Sequence, residues 1–170
     1  MVALCEMKVC TGSSAGTEAP VGDATNWNLM STDAYDSTGT SYQTNRITVP
    51  SVGTTYSYER WLRLKFSSTF NLIENIKFYK SAGTLSDAAL DLTAGVSTSG
   101  VTPVNTVSSV ATTIGTGWDS LGEALDITPA GGITTTGETK YGVIQLKVPY
   151  TVVTPGDIGS QTITFVYDES

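Results

Sequence analysis

The sequence has no histidine, only two cysteines in 170 residues, and no apolar run approaching a membrane span. Each shortage removes a class of chemistry. Without histidine the commonest general base and the commonest metal ligand are both missing, so catalysis would have to run on carboxylates, lysine or tyrosine. The two thiols, Cys5 and Cys10, cannot complete a structural zinc site without histidine. Five residues apart on one extended strand, they point to opposite faces, which argues against a direct disulfide. They read as small buried or half-buried thiols, the alternative being an intersubunit bridge formed in an oxidising medium. A membrane-spanning helix needs about 20 predominantly apolar residues, and no such stretch is present. The opening residues, MVALCEMKVC, lack the charged start, apolar core and cleavage site of a secretory signal. Synthesis and folding in a cytoplasm is the expectation.

Charge is scarce as well. Charged residues make up 15% of the chain and the net charge is −7. An acidic chain cannot neutralise phosphates by counterion release, so a nucleic-acid partner is disfavoured. A hydrophobic content of 39% with so little charge also argues against disorder. The sequence contains no phosphate loop, paired-cysteine metal motif or helical histidine pair. No catalytic residue, cofactor or metal is therefore expected, and a non-enzymatic role follows.

What remains is rich in threonine, glycine and serine. Threonine is β-branched and suits a half-buried pleated surface, and Gly 17 with Pro 6 supply frequent turns. Alternation of apolar and polar residues marks candidate strands at 2–10, 45–50, 56–66, 75–80, 125–127, 141–150 and 161–167. In 56–66, Tyr58, Leu62, Leu64 and Phe66 face one way, and Glu59, Trp61, Arg63 and Lys65 the other. Residues 67–71 read as a connection between consecutive antiparallel strands. Residues 84–94 read as one or two helical turns capped by Ser86, or as an irregular excursion. Residues 101–114 are again β-prone. The pattern predicts an all-β fold: one antiparallel β-sandwich, Ig-like or jelly-roll-like, over residues 1–170. Within it, 1–44 would be a first strand plus an extended arm, and 45–170 the sandwich core.

Few side chains invite chemistry. Asp33, Asp36 and Gly39 faintly suggest a calcium loop, although Asx-turn residues explain the segment more simply. Asp87 with Asp91, and Asp119 with Glu123, would share a helical face, where like charges usually mark solvent exposure. The aromatics could make a contact surface: Trp27, Tyr35 and Tyr42 in the arm, Trp61 beside Arg63 on a polar strand face, and Trp118 in a loop. Trp27, Trp61 or Trp118 could also stack a sugar, but Trp61 is explained more simply by covering the sandwich rim or packing beneath the arm.

Several segments together resemble a family of tailed-phage virion proteins with a β-sandwich fold, either minor structural or head-decoration proteins. They are YERWLRLKF (58–66), NIKFYK (75–80), TPVNTVSSVA (102–111), QLKV (145–148) and TITFVYDE (162–169). The resemblance covers roughly residues 45–170. It implies a capsid decoration or cement subunit that binds the major capsid protein or other virion proteins. It also implies a homo-oligomer or symmetric array, assembled in the host cytoplasm and located in the virion. Membrane and nucleic acid are not expected as partners. The alternatives are a tail or fibre-base structural protein, or a carbohydrate-binding or adhesion module.

Overall fold

The computed structural model describes residues 3–10, 18–20, 29–31, 43–98, 117–154 and 156–170. Among these residues ten strands are defined: β1 (Leu4–Cys10), β2 (Glu18–Pro20), β3 (Thr54–Tyr56), β4 (Arg60–Ser67), β5 (Ile73–Ala82), β6 (Asp91–Ser97), β7 (Leu125–Asp126), β8 (Gly137–Glu138), β9 (Tyr141–Pro149) and β10 (Thr162–Glu169). All pair antiparallel and form two sheets packed face to face, the sandwich expected from the alternation. No described residue lies in an α-helix.

The larger sheet is best seen as five lines of strand. β2 pairs with β1, β1 with β4, and β9 lies between β4 and β6. β3 continues the line of β4, and β8 continues that of β9. Each continuation contains a bulge, three residues against two. Ser57, Tyr58 and Glu59 face Gln145 and Leu146, while Thr139, Lys140 and Tyr141 face Arg63 and Leu64. A hydroxyl repairs the ladder in both places. Leu146 N donates to Ser57 Oγ at 3.0 Å, and Leu64 N to Thr139 Oγ1 at 3.0 Å. Both residues are buried, so the hydroxyls satisfy amide groups that water does not reach.

The smaller sheet has the order β10-β5-β7. Its inner face supplies Ile76, Phe78, Ile163, Phe165 and Tyr167, matching the expected alternation. Against them the larger sheet sets Val9, Leu62, Leu64, Phe66, Leu92, Ala94, Ile144, Leu146 and Val148. Phe78 lies at the centre. Its ring stacks on Phe165 at 5.8 Å between centroids and meets Trp118 edge-on at 5.6 Å. Gly142 faces it so closely that a Cβ there would lie 2.8 Å from two ring carbons.

Several expectations are corrected. Residues 45–50 form no strand, although Ile47 and Val49 pack against the core. Residues 67–71 do not close a hairpin; they carry the chain from one sheet to the other, since β4 and β5 belong to different sheets. Ser68 takes a positive φ of 85° at this crossing. The helical turns considered for 84–94 are absent. Asp87 instead gathers a turn, accepting from Ala89 N with Oδ1 and from Val153 N and Thr154 N with Oδ2, each at 2.9 Å. Those amide donors hold its carboxyl below the ordinary range despite burial acting the other way. Asp91 begins β6 and pairs with Lys147 at 2.8 Å, so the two acids share no helical face. The β-prone stretch 101–114 lies outside the described residues.

The first strand is integral to the larger sheet. β1 runs beside β4 from Leu4↔Ser67 to Val9↔Leu62, and Val9 is fully buried. Of the stretch 11–44, the described parts also join the fold. Glu18–Pro20 pairs with β1, Met30 is buried, and Met30 O accepts from Tyr58 N. At the other end, Ser170 exchanges backbone hydrogen bonds with Leu72, and Ala3 N donates to Glu169 Oε1 at 2.8 Å.

Candidate functional site

Period-two alternation sends Glu59, Trp61, Arg63 and Lys65 of β4 and its preceding bulge to the face opposite the sandwich core. Tyr141, Val143 and Gln145 of β9 and Thr93 and Ser97 of β6 share that face through the strand register. In a two-layer sandwich this side usually meets water. Here Glu59, Trp61, Thr93, Ser97, Tyr141, Val143 and Gln145 are all buried. It is the most densely polar buried region among the described residues, and it contains the sequence-selected pair Trp61 and Arg63.

Arg63 is its hub. The guanidinium lies over the Tyr141 ring, 4.7 Å from the centroid. Nε pairs with Glu18 Oε1 at 2.6 Å, and Nη2 with Glu138 Oε2 at 2.7 Å. Tyr141 donates its hydroxyl to the same Glu18 Oε1 at 2.7 Å. Burial acts to lower the Arg63 pKa, but the Glu18 pairing, with Tyr141 and Glu138 behind it, outweighs burial and raises it. The Trp61 ring tilts against Tyr141 at 5.5 Å, and its Nε1 donates to Glu59 Oε2 at 2.9 Å. Gln145 completes the row, donating from Nε2 to Ser57 O at 2.9 Å.

Chemically this is a brace. One cation and two carboxylates tie three distant pieces of chain together: the edge strand through Glu18, the sheet centre through Arg63, and the β8 line through Glu138. Each of these contacts joins two groups of the same chain.

The other expected contact residues fall out differently. Trp61 is 0% exposed and Trp118 1%, which corrects the idea of either as a surface platform. Trp118 fills the core beside Phe78 and donates from Nε1 to Leu92 O at 3.0 Å, sealing the margin of β6. An indole buried with its N–H satisfied is a packing element and has no free face for a sugar. Trp27, Tyr35 and Tyr42, and the calcium expectation at Asp33, Asp36 and Gly39, lie outside the described residues. Asp119 and Glu123 are exposed around a single 3-10 turn, and Glu123 Oε2 accepts from Ser120 Oγ. Among the described residues, no three of His, Cys, Asp or Glu are grouped to hold a metal ion. Cys5 is a free, exposed thiol whose partial burial raises its pKa.

Sequence reasoning singled out Arg63 but missed Glu18, Glu138 and Tyr141. Glu138 lies in a short Thr- and Gly-rich stretch ahead of a clear strand, and its place beside Arg63 comes only from the pairing of β8 with β4. Glu18 sits in a Gly/Ser/Thr-rich stretch without a periodic signal.

No protein-family model, no curated protein and no solved structure matches the chain. Fold and site define an all-β, two-sheet antiparallel sandwich whose most polar buried face is cross-braced by ionic and aromatic contacts.

Proposed function

We propose that this sandwich is a structural subunit of a tailed-phage virion, a decoration or cement protein that bridges neighbouring capsid subunits. The observation that carries the reading is the brace on the outer face. Glu18, Arg63, Glu138 and Tyr141 are engaged with one another, so their chemistry goes into holding the sandwich rigid. A cement subunit needs this kind of construction, because it transmits load between its neighbours. The segments that resemble virion proteins support it too. Four of the five fall largely on β4, β5, β9 and β10, which form the middle of the larger sheet and two of the smaller sheet's three strands. The low charge of the chain, 15% of its residues, suits contacts made by shape and hydrogen bonds.

Probing purified virions, separated heads and separated tails with an antibody to this chain tests the reading. The chain is expected on intact heads, and adding it back to stripped heads should raise their melting temperature. Detection on tails alone would favour the tail or fibre-base role, and absence from every particle would sink the proposal.

A further inference from the structure

The two sheets guard their edges unequally. On the larger sheet, β2 is three residues long and ends at Pro20, while Trp118 Nε1 occupies the Leu92 carbonyl on β6. On the smaller sheet, β7 is two residues long and Pro129 follows soon after. Short edges, proline and capped carbonyls all discourage a further strand. β10 is neither short nor interrupted by proline. It is an eight-residue edge strand, paired with β5 on one side only. Ile163-Thr164-Phe165-Val166-Tyr167 contains no charge and no proline, and it is β-branched or aromatic throughout. Among the described residues, no strand pairs along its other side.

We infer that β10 is a pairing edge for a second copy of this chain, giving a two-fold antiparallel β10–β10 contact and a continuous six-stranded sheet. The strand's own pattern of faces and charges is self-complementary in one direction only. Both acids, Asp168 and Glu169, stand at one end. Parallel pairing of two copies would set each acid beside its twin, a destabilising arrangement. Antiparallel pairing centred near Phe165 sets Asp168 opposite the partner's Thr162 and keeps the acids apart. It also keeps the faces in phase. Ile163, Phe165 and Tyr167 point to the core on both copies, and Thr164 meets the partner's Val166 on the outer face. Register shifts at Thr162/Ile163 and Val166/Asp168 bend the ends of the strand and leave Ile163 to Val166 as its regular part. A contact of this kind is isologous and closes on itself. It extends the virion reading but does not depend on it, because the edge can pair in dilute solution without a capsid.

Sedimentation velocity of the full chain, over rising protein concentration and at low and high salt, tests the inference. The wild type should dimerise, and more readily in salt, because each copy carries a net charge of −7 that salt screens. T164K/V166K places lysine opposite lysine on the solvent side and should leave a monomer. T164E/V166K places opposite charges in the same register and should restore the dimer. Melting curves and near-UV dichroism check that each variant folds. A wild type that stays monomeric at every concentration and salt overturns the inference. So does a dimer untouched by T164K/V166K, or a folded T164E/V166K that fails to recover it. If the lysine pair does not fold, amide exchange of the wild type decides. Protection of β10 must rise with protein concentration, and constant protection refutes the contact.

Discussion

Adding one methyl group at Gly142 tests how closely the two sheets approach. The residue sits on the inner face of β9, and a Cβ there would lie 2.8 Å from Cε1 and Cζ of Phe78. That is closer than carbon atoms tolerate, so the ring or a sheet has to move. The ring has little room, because Phe165 stacks on it at 5.8 Å and Trp118 meets it at 5.6 Å. Two effects oppose each other in Gly142→Ala. Restricting the unfolded chain favours alanine by about 0.4–1 kcal/mol. Overpacking a filled core costs about 1–3 kcal/mol. The pinned ring puts the cost toward the upper part of that range, so a net loss of about 1–2 kcal/mol is expected. In a domain of this size that lowers the melting temperature by about 2–8 °C. Urea unfolding followed by fluorescence gives the free energy directly, and Phe78→Leu supplies the partner for a double-mutant cycle. The smaller side chain should relieve the methyl, so G142A/F78L should be less destabilised than the sum of its parts by about 1 kcal/mol. A neutral or stabilising Gly142→Ala, or strict additivity in the cycle, would refute the close-approach argument.

Three further outcomes follow from contacts already described. Ser57→Ala leaves Leu146 N buried without its acceptor and should cost about 1–3 kcal/mol in chemical denaturation, with Thr139→Val similar through Leu64 N. Arg63→Ala strips Glu18 and Glu138 of their shared cation and should cost about 2 kcal/mol, between an exposed pair and a fully buried one; adding Glu18→Gln should return part of it. Asp87 has a folded pKa lowered from the ordinary value of 3.8, so its contribution is complete above that value and fades as pH falls through the folded one. The melting-temperature gap between wild type and Asp87→Asn should therefore be widest near neutrality and close in strong acid. A gap constant from neutrality into strong acid would contradict the turn-gathering role.

The strands that sequence reading located well are those with a long, clean alternation: β4, β5, β9 and β10. Their apolar residues are large, and their faces are unambiguous. β6 was missed because Asp-Leu-Thr-Ala-Gly-Val-Ser offers small inward residues and a glycine, and its strand character comes from pairing with β9. The breaks at residues 57–59 and 139–140 were invisible, because a bulge is a relation between two strands and neither sequence alone records it. Trp61 is the most instructive case. Alternation placed it correctly away from the core, but whether that face is wet depends on what the rest of the chain lays over it. The Arg63 brace was illegible for the same reason, since Glu18 reaches it only through the pairing of β2 with β1.

The bond from Ala3 N to Glu169 Oε1, beside the Ser170–Leu72 backbone pair, brings the two ends of the fold to one spot. Entry and exit that nearly coincide make the sandwich a plug-in body: a host protein could carry it whole in a surface loop with two short linkers and little strain. The same geometry lets a few added residues join the ends into a ring and new ends open elsewhere, for instance in the crossing at residues 68–71. Such a permuted chain would still fold to the same two sheets.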